Sequence, residues 1–69
     1  MKRFAVAKVN YPEGSLDLRF TAASDWRSAL QTAYNLTAKE MDSLPEDYEE
    51  ARTAAVNQDW DFVCMEVPT

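Results

Sequence analysis

The chain has 69 residues, 46% of them hydrophobic and 28% charged, with no His, one Cys and a formal net charge of −5. That length holds one domain with a small core, and the apolar share, set against one Gly and three Pro, belongs to a folding chain rather than a disordered one. Histidine general bases, His metal ligands and internal disulfides are excluded outright.

Residues 3–11, Arg3-Phe4-Ala5-Val6-Ala7-Lys8-Val9-Asn10-Tyr11, mix β-branched and aromatic side chains and carry no helix cap, which predicts a strand. Pro12-Glu13-Gly14-Ser15 is a turn, with Pro presetting φ and the single Gly allowing a positive one. Leu16, Leu18, Phe20 and Ala22 then alternate with Asp17, Arg19 and Thr21, a period of two with one apolar and one wet face. Residues 3–22 are therefore expected to form a β-hairpin.

Ser24 is the expected N-cap of a first helix, with Asp25 complementing its dipole. Trp26, Ala29, Leu30, Ala33 and Tyr34 trace its apolar stripe to an end near Asn35. Thr37 and Glu40 form a capping box for a short helix over residues 38–44, and Ser43 with Glu46 repeats the signature for a third. Leu44, Tyr48, Ala51 and Ala55 line that third helix, Glu46 and Glu50 form a like-charge i,i+4 pair on it, and Asn57 is the expected left-handed terminator. A closing strand covers residues 59–67 until Pro68 stops it. Its alternation puts Trp60, Phe62 and Cys64 on one face and Val63, Met65 and Val67 on the other. Apolar residues on both faces imply cover on both sides, or a second face that meets a partner. The order is ββ(αα)β, an α+β domain with helices packed on the apolar face of a small sheet and the orientation of the last strand open.

Charge is divided unevenly. Up to Asn35 five bases oppose three acids; beyond it two bases, Lys39 and Arg52, oppose nine acids. Residues 40–50 hold six acids (Glu40, Asp42, Glu46, Asp47, Glu49, Glu50) and no base. One reading is a solvated helical face that keeps a small protein soluble. The other is a contact surface for a basic groove of a nucleic-acid-handling protein, with Tyr48 as its anchor. Direct nucleic-acid binding is disfavoured, since affinity there comes from clustered Lys and Arg.

Catalytic chemistry is thin. Cys64 sits inside an apolar strand as a small hydrophobe, residues 42–50 lack the ligand spacing and central Gly of a calcium loop, and the one Gly is spent in a turn. Asp59 and Asp61 flank Trp60 on one wet face of a strand. Phe4, Phe20, Trp26, Tyr34 and Phe62 read as core, and Tyr11 and Trp60 as partly exposed. The expectation is a non-enzymatic protein with no cofactor and no metal. A lone thiol fits a reducing compartment, and residues 4–9, broken by Lys8, are neither a signal segment nor a membrane span, so a cytoplasmic protein without a membrane partner is expected.

The pattern Leu16-x-Leu18-x-Phe20-x-Ala22-x-Ser24-x-Trp26-x-x-Ala29-Leu30 resembles a layout of small phage and prophage early-region proteins, among them RNA polymerase inhibitors and anti-CRISPR proteins. The size and the Trp60-Asp61-Phe62-Val63 ending are similar to those of the RcbA-like proteins of the Rac prophage. The resemblance lies in element order, matches no residue-level motif and departs in its three-helix middle. It implies a compact acidic protein that acts on replication, transcription or defence machinery by binding it. The alternative is a self-associating accessory protein, a homodimer built by pairing of strand edges.

Overall fold

The computed structural model describes residues 1–68, with β1 (Lys2–Asn10), β2 (Ser15–Ala23), α1 (Trp26–Tyr34), α2 (Ala38–Asp42), α3 (Tyr48–Val56) and β3 (Trp60–Val67) in chain order. The sheet runs β2-β1-β3 and every pairing is antiparallel, so β1 is the central strand and the last strand takes its free edge. This is the expected α+β domain, with the helices on one face of the sheet.

The hairpin turn works as its residues dictate. Gly14 takes φ 66°, and its N–H donates to the carbonyls of Asn10 and Tyr11 at 2.9 and 3.1 Å. Helix starts are set by side chains, one residue later than expected in α1. Asp25, not Ser24, is the N-cap, with its carboxylate accepting from Ser28 N–H at 2.8 Å. That hydrogen bond holds the Asp25 carboxyl below the usual carboxylate range. Asn35 closes α1 in the left-handed region.

The Thr37–Glu40 capping box opens α2 as expected, but the helix stops at Asp42 and Ser43 caps its end, donating its hydroxyl to Glu40 O at 2.7 Å. Pro45 follows outside any helix, and α3 is capped by Asp47 rather than Ser43. Glu46 therefore lies outside α3, and its expected helical repulsion with Glu50 does not arise. Asn57 stays right-handed; the left-handed residue is Asp59, which turns the chain into β3.

Phe4 and Val6 of β1, Phe62 of β3, Ala29 and Leu30 of α1, and Ala51 and Ala55 of α3 form the centre of the core, joined by Met41 and Leu44. The stripe read for α1 faces inward, and so do Tyr48, Ala51 and Ala55 of α3; Leu44, expected on that third helix, is buried from the segment between α2 and α3. Trp26 stacks on Phe62 at 5.6 Å between ring centroids, and Tyr48 meets both edge-on.

The sheet departs from expectation at β2. Cross-strand partners share a face. Phe4 and Val6 point to the helices, so their partners Thr21 and Arg19 do too, with Asp17 beside them. Leu16, Leu18, Phe20 and Ala22 point the opposite way. The apolar stripe of the hairpin is thus not the face on which the helices pack, and Phe20, expected in the core, is 72% exposed. The inward polar residues of β2 have work of their own. Arg19 donates to Ala33 O at 2.8 Å at the end of α1, and the Tyr34 hydroxyl lies 2.9 Å from Val6 O and 2.8 Å from Asp17 O. A polar clasp between β2 and α1 fills the place where the core was expected.

Candidate protein-contact surfaces

Two surfaces dominate the molecule. The first is the face of the sheet opposite the helices. On it stand Arg3, Ala5, Ala7 and Val9 of β1, flanked in register by Ala22, Phe20, Leu18 and Leu16 on β2 and by Val67, Met65, Val63 and Asp61 on β3. Leu16 is 71% exposed and Met65 63%. Among the described residues no element covers this face. Asp61, at its corner, does not leave a bare charge there. Arg52 of α3 grips both its carboxylate oxygens at 3.2 and 3.1 Å, and Oδ1 accepts from Phe62 N–H at 2.7 Å. Burial works against the Asp61 charge, but these hydrogen bonds outweigh it and hold the carboxyl below its ordinary value; the same bond raises Arg52.

The second surface is the acidic run. Its members divide by what they already do. Asp47 accepts from Glu50 N–H at 3.0 Å as the N-cap of α3, and Glu40 accepts from Thr37 N–H at 3.1 Å in the capping box. The Thr37 backbone and hydroxyl bonds lower the Glu40 carboxyl below its usual value. Glu49 and Glu50 sit in the first turn of α3, where a helix dipole favours negative charge. Asp42 and Glu46 are exposed with no hydrogen-bond partner among the described residues. Among the described residues none of the six acids joins an ion pair; the pairs there are Lys2–Glu66, Asp17–Arg19 and Arg52–Asp61.

Tyr48 does not stand on this surface as an anchor. Its ring is turned inward onto Trp26 and Phe62, and its Oη accepts from Cys64 N–H at 2.9 Å. With Asp61 on the N–H of Phe62, two backbone donors of the β3 edge are occupied from within the chain.

The remaining chemistry is limited. Cys64 is half-buried with Sγ 3.5 Å from Trp26 O, and burial raises its thiol to about 11, so it is protonated at neutral pH. A cleft of about 220 Å³ lies between the turn end of the sheet and α2, lined by Lys8, Asn10, Glu40 and Trp60 among others. Its Lys8 ammonium rests over the Trp60 and Tyr34 rings at 5.5 and 5.7 Å, an arrangement that ties the cation to the fold. Among the described residues no group of three His, Cys, Asp or Glu converges to hold a metal, and no helix is long and apolar enough to cross a membrane.

Sequence reasoning found the acids because charge is visible without a structure. It missed the open sheet face because alternation gives a period and not a direction; the one available signal was the apolar second face of the last strand. Compared with known proteins, the chain matches no family model, no curated protein and no solved structure.

Proposed function

We propose that this protein is a non-catalytic protein-binding module that acts by covering surface, with the open face of the sheet as its main contact. The observation that carries the reading is that face itself. Leu16, Leu18 and Phe20 run along one side of it and Val63 and Met65 along the other, all exposed. Scattered exposed apolar residues are ordinary, but a contiguous apolar field on a small domain marks a contact site. The absence of His from the sequence and the protonated state of Cys64 support a role without nucleophilic chemistry.

The three methionines give a direct test. In the isolated chain Met1 is 99% exposed and Met41 4%. If the face is covered in its working setting, Met65 resists peroxide in a cell lysate almost as well as Met41. Oxidation of Met65 in the lysate at the rate of Met1 refutes the reading.

A second reading is favoured by the unpaired acids. Asp42, Glu46, Glu49 and Glu50 are exposed carboxylates within nine residues of chain, suited to a basic surface such as a nucleic-acid-handling complex presents, which is the partner class implied by the phage-protein resemblance. Replacing these four by Asn or Gln, and sparing the caps Glu40 and Asp47, is expected to abolish salt-sensitive binding to a basic protein without unfolding the domain. Binding retained with the same salt dependence refutes it.

A further inference from the structure

We infer that the occupant of the open sheet face is a second copy of this chain, stacked face to face across a twofold axis. This rests on the reading of the face as a protein contact and supplies its partner.

The first argument is area. Three strands about 4.8 Å apart, each contributing some eight residues at about 3.3 Å, give a field of roughly 14 by 26 Å. With its side chains standing off that plane, such a field presents on the order of 600 Å² of accessible surface, at the upper limit of the patches that monomers carry. Two copies stacked on it bury about 1,200 Å², the lower end of the range for stable specific interfaces.

Composition is the second argument. Between Arg3 at one end and the neutralised Asp61 at the other, every position on the face is apolar. Interfaces between identical chains are the more apolar kind, whereas a face evolved for a different soluble partner carries polar and charged positions that fix its choice. Arg3, at one end of the central strand, is the one unpaired charge on this face among the described residues, and the field beyond it is apolar. The acids that give the chain its net charge of −5 lie mostly on the helical layer, on the other side of the sheet. Two copies meeting by their sheets therefore keep those charges on the outside of the assembly.

Shape and charge then set the arrangement. Ala5 and Ala7 of the central strand form a trough between the taller ridges of β2 and β3. Sheets that stack about 10 Å apart with their strands crossed by about 30° pass the ridges of each over the trough of the other. Of the two twofold axes that lie between the sheets, one runs along the strands and brings the Arg3 side chains together. The other runs across the strands and places them at opposite ends, so the strands of the two copies lie antiparallel. The assembly has four layers, helices outside and a dry two-sheet core within.

The experiment combines mass with the Met65 footprint on the purified full chain, from about 1 to 200 µM, the range in which an interface of this size assembles. The expected result is twice the monomer mass of 7.9 kDa at high concentration, falling to 7.9 kDa on dilution. Over the same range Met65 is protected about tenfold relative to Met1 when dimeric and loses that protection as the mass falls. Leu18→Lys combined with Phe20→Lys is expected to hold the monomer mass at every concentration with an unchanged far-ultraviolet spectrum. The dilution arm decides the question without any variant.

A monomer at every concentration, with Met65 oxidised as fast as Met1, overturns the second copy. If Met65 is then protected in lysate but not in the pure protein, a different molecule covers the face and the contact reading survives. If it is protected in neither, both fall.

Discussion

Removing the Tyr48 hydroxyl tests whether this residue holds the sheet edge or faces a partner. In Tyr48→Phe the ring keeps its contacts with Trp26 and Phe62 at 5.3 and 5.8 Å, and only the acceptor for Cys64 N–H, 2.9 Å away, is lost. A backbone donor left unpartnered in a half-buried place costs about 1–2 kcal/mol. For a domain of this size each kcal/mol moves the midpoint by about 4–8 °C, so Tm is expected to fall by roughly 5–15 °C. Thermal unfolding by circular dichroism, at one fixed protein concentration because self-association shifts Tm, measures that drop. Amide exchange at Cys64 gives the local readout and is expected to accelerate while that of Val6, in the central strand, slows or speeds only with global stability. An unchanged Tm together with unchanged Cys64 exchange would falsify the edge-holding role and return Tyr48 to the list of surface anchors. Tyr48→Ala, which also empties the ring's place in the core, costs about 3–5 kcal/mol, comparable to the whole stability of so small a domain.

Asp61 has a folded-state pKa below its ordinary value, so its contribution to stability is present above the unfolded carboxylate range near pH 4 and is lost as pH falls through the folded value. Acid titration of the wild type is expected to show that loss, and Asp61→Asn to flatten it in urea unfolding between about pH 5 and 2. Cys64, raised to about 11 by burial, is expected to alkylate at pH 8 far more slowly in the folded chain than in denaturant, with equal rates refuting its burial. The acids are expected to separate by role. Asp47→Ala, which removes the α3 cap, lowers stability by about 1 kcal/mol in urea unfolding, while Asp42→Asn leaves it within about 0.5 kcal/mol.

How the sequence divides into readable and unreadable parts follows from the range of the forces involved. Turn and cap chemistry is local, so the Gly14 turn and the Thr37–Glu40 box were legible from a few neighbouring residues. Helix stripes were legible because Trp26, Leu30 and Tyr34, or Tyr48, Ala51 and Ala55, share a side by period alone, whereas Leu44, expected on the same stripe, reaches the core from the segment between α2 and α3. Caps were less secure where two candidates adjoin. Ser24 and Asp25 both suit an N-cap, and the structure uses the one whose carboxylate reaches Ser28 N–H. The orientation of β2 was not legible at all. A one-residue slip of the β1–β2 register turns Leu16, Leu18 and Phe20 to the helices and Asp17 and Arg19 to water, leaving the sequence pattern untouched. What decides is long-range, namely the Arg19 bond to Ala33 O and the Tyr34 hydroxyl over Asp17 O, each spanning more than ten residues. Of the candidate site, the charge of residues 40–50 was legible, but its division into caps and free carboxylates depends on where α2 and α3 begin.

Two routes to self-association can now be compared on physical grounds. Edge pairing adds strands side by side. On β3 the N–H groups of Phe62 and Cys64 are already bonded to Asp61 and Tyr48, so an added strand must first displace both. On β2 the edge lies on the far side of the sheet from β3, and a second β2 pairing there yields one continuous six-stranded sheet. In that product Leu16, Leu18, Phe20, Val63 and Met65 of both copies still face water, and the apolar field has doubled in size. Edge pairing therefore gains main-chain hydrogen bonds, each worth about 1 kcal/mol net, and leaves the larger hydrophobic term unsatisfied. Face stacking does the reverse. It forms no main-chain bond between copies, yet removes on the order of 1,200 Å² of mainly apolar surface from water, a gross gain of roughly 25–30 kcal/mol before the costs of association and side-chain ordering. Even if those costs consume three quarters of it, the remainder corresponds to an affinity near the micromolar range. The clasp of Arg19 and Tyr34 holds Leu18 and Phe20 outward and keeps the apolar side of β2 from completing the chain's own core, so of the two routes only the proposed stacking takes those side chains out of water.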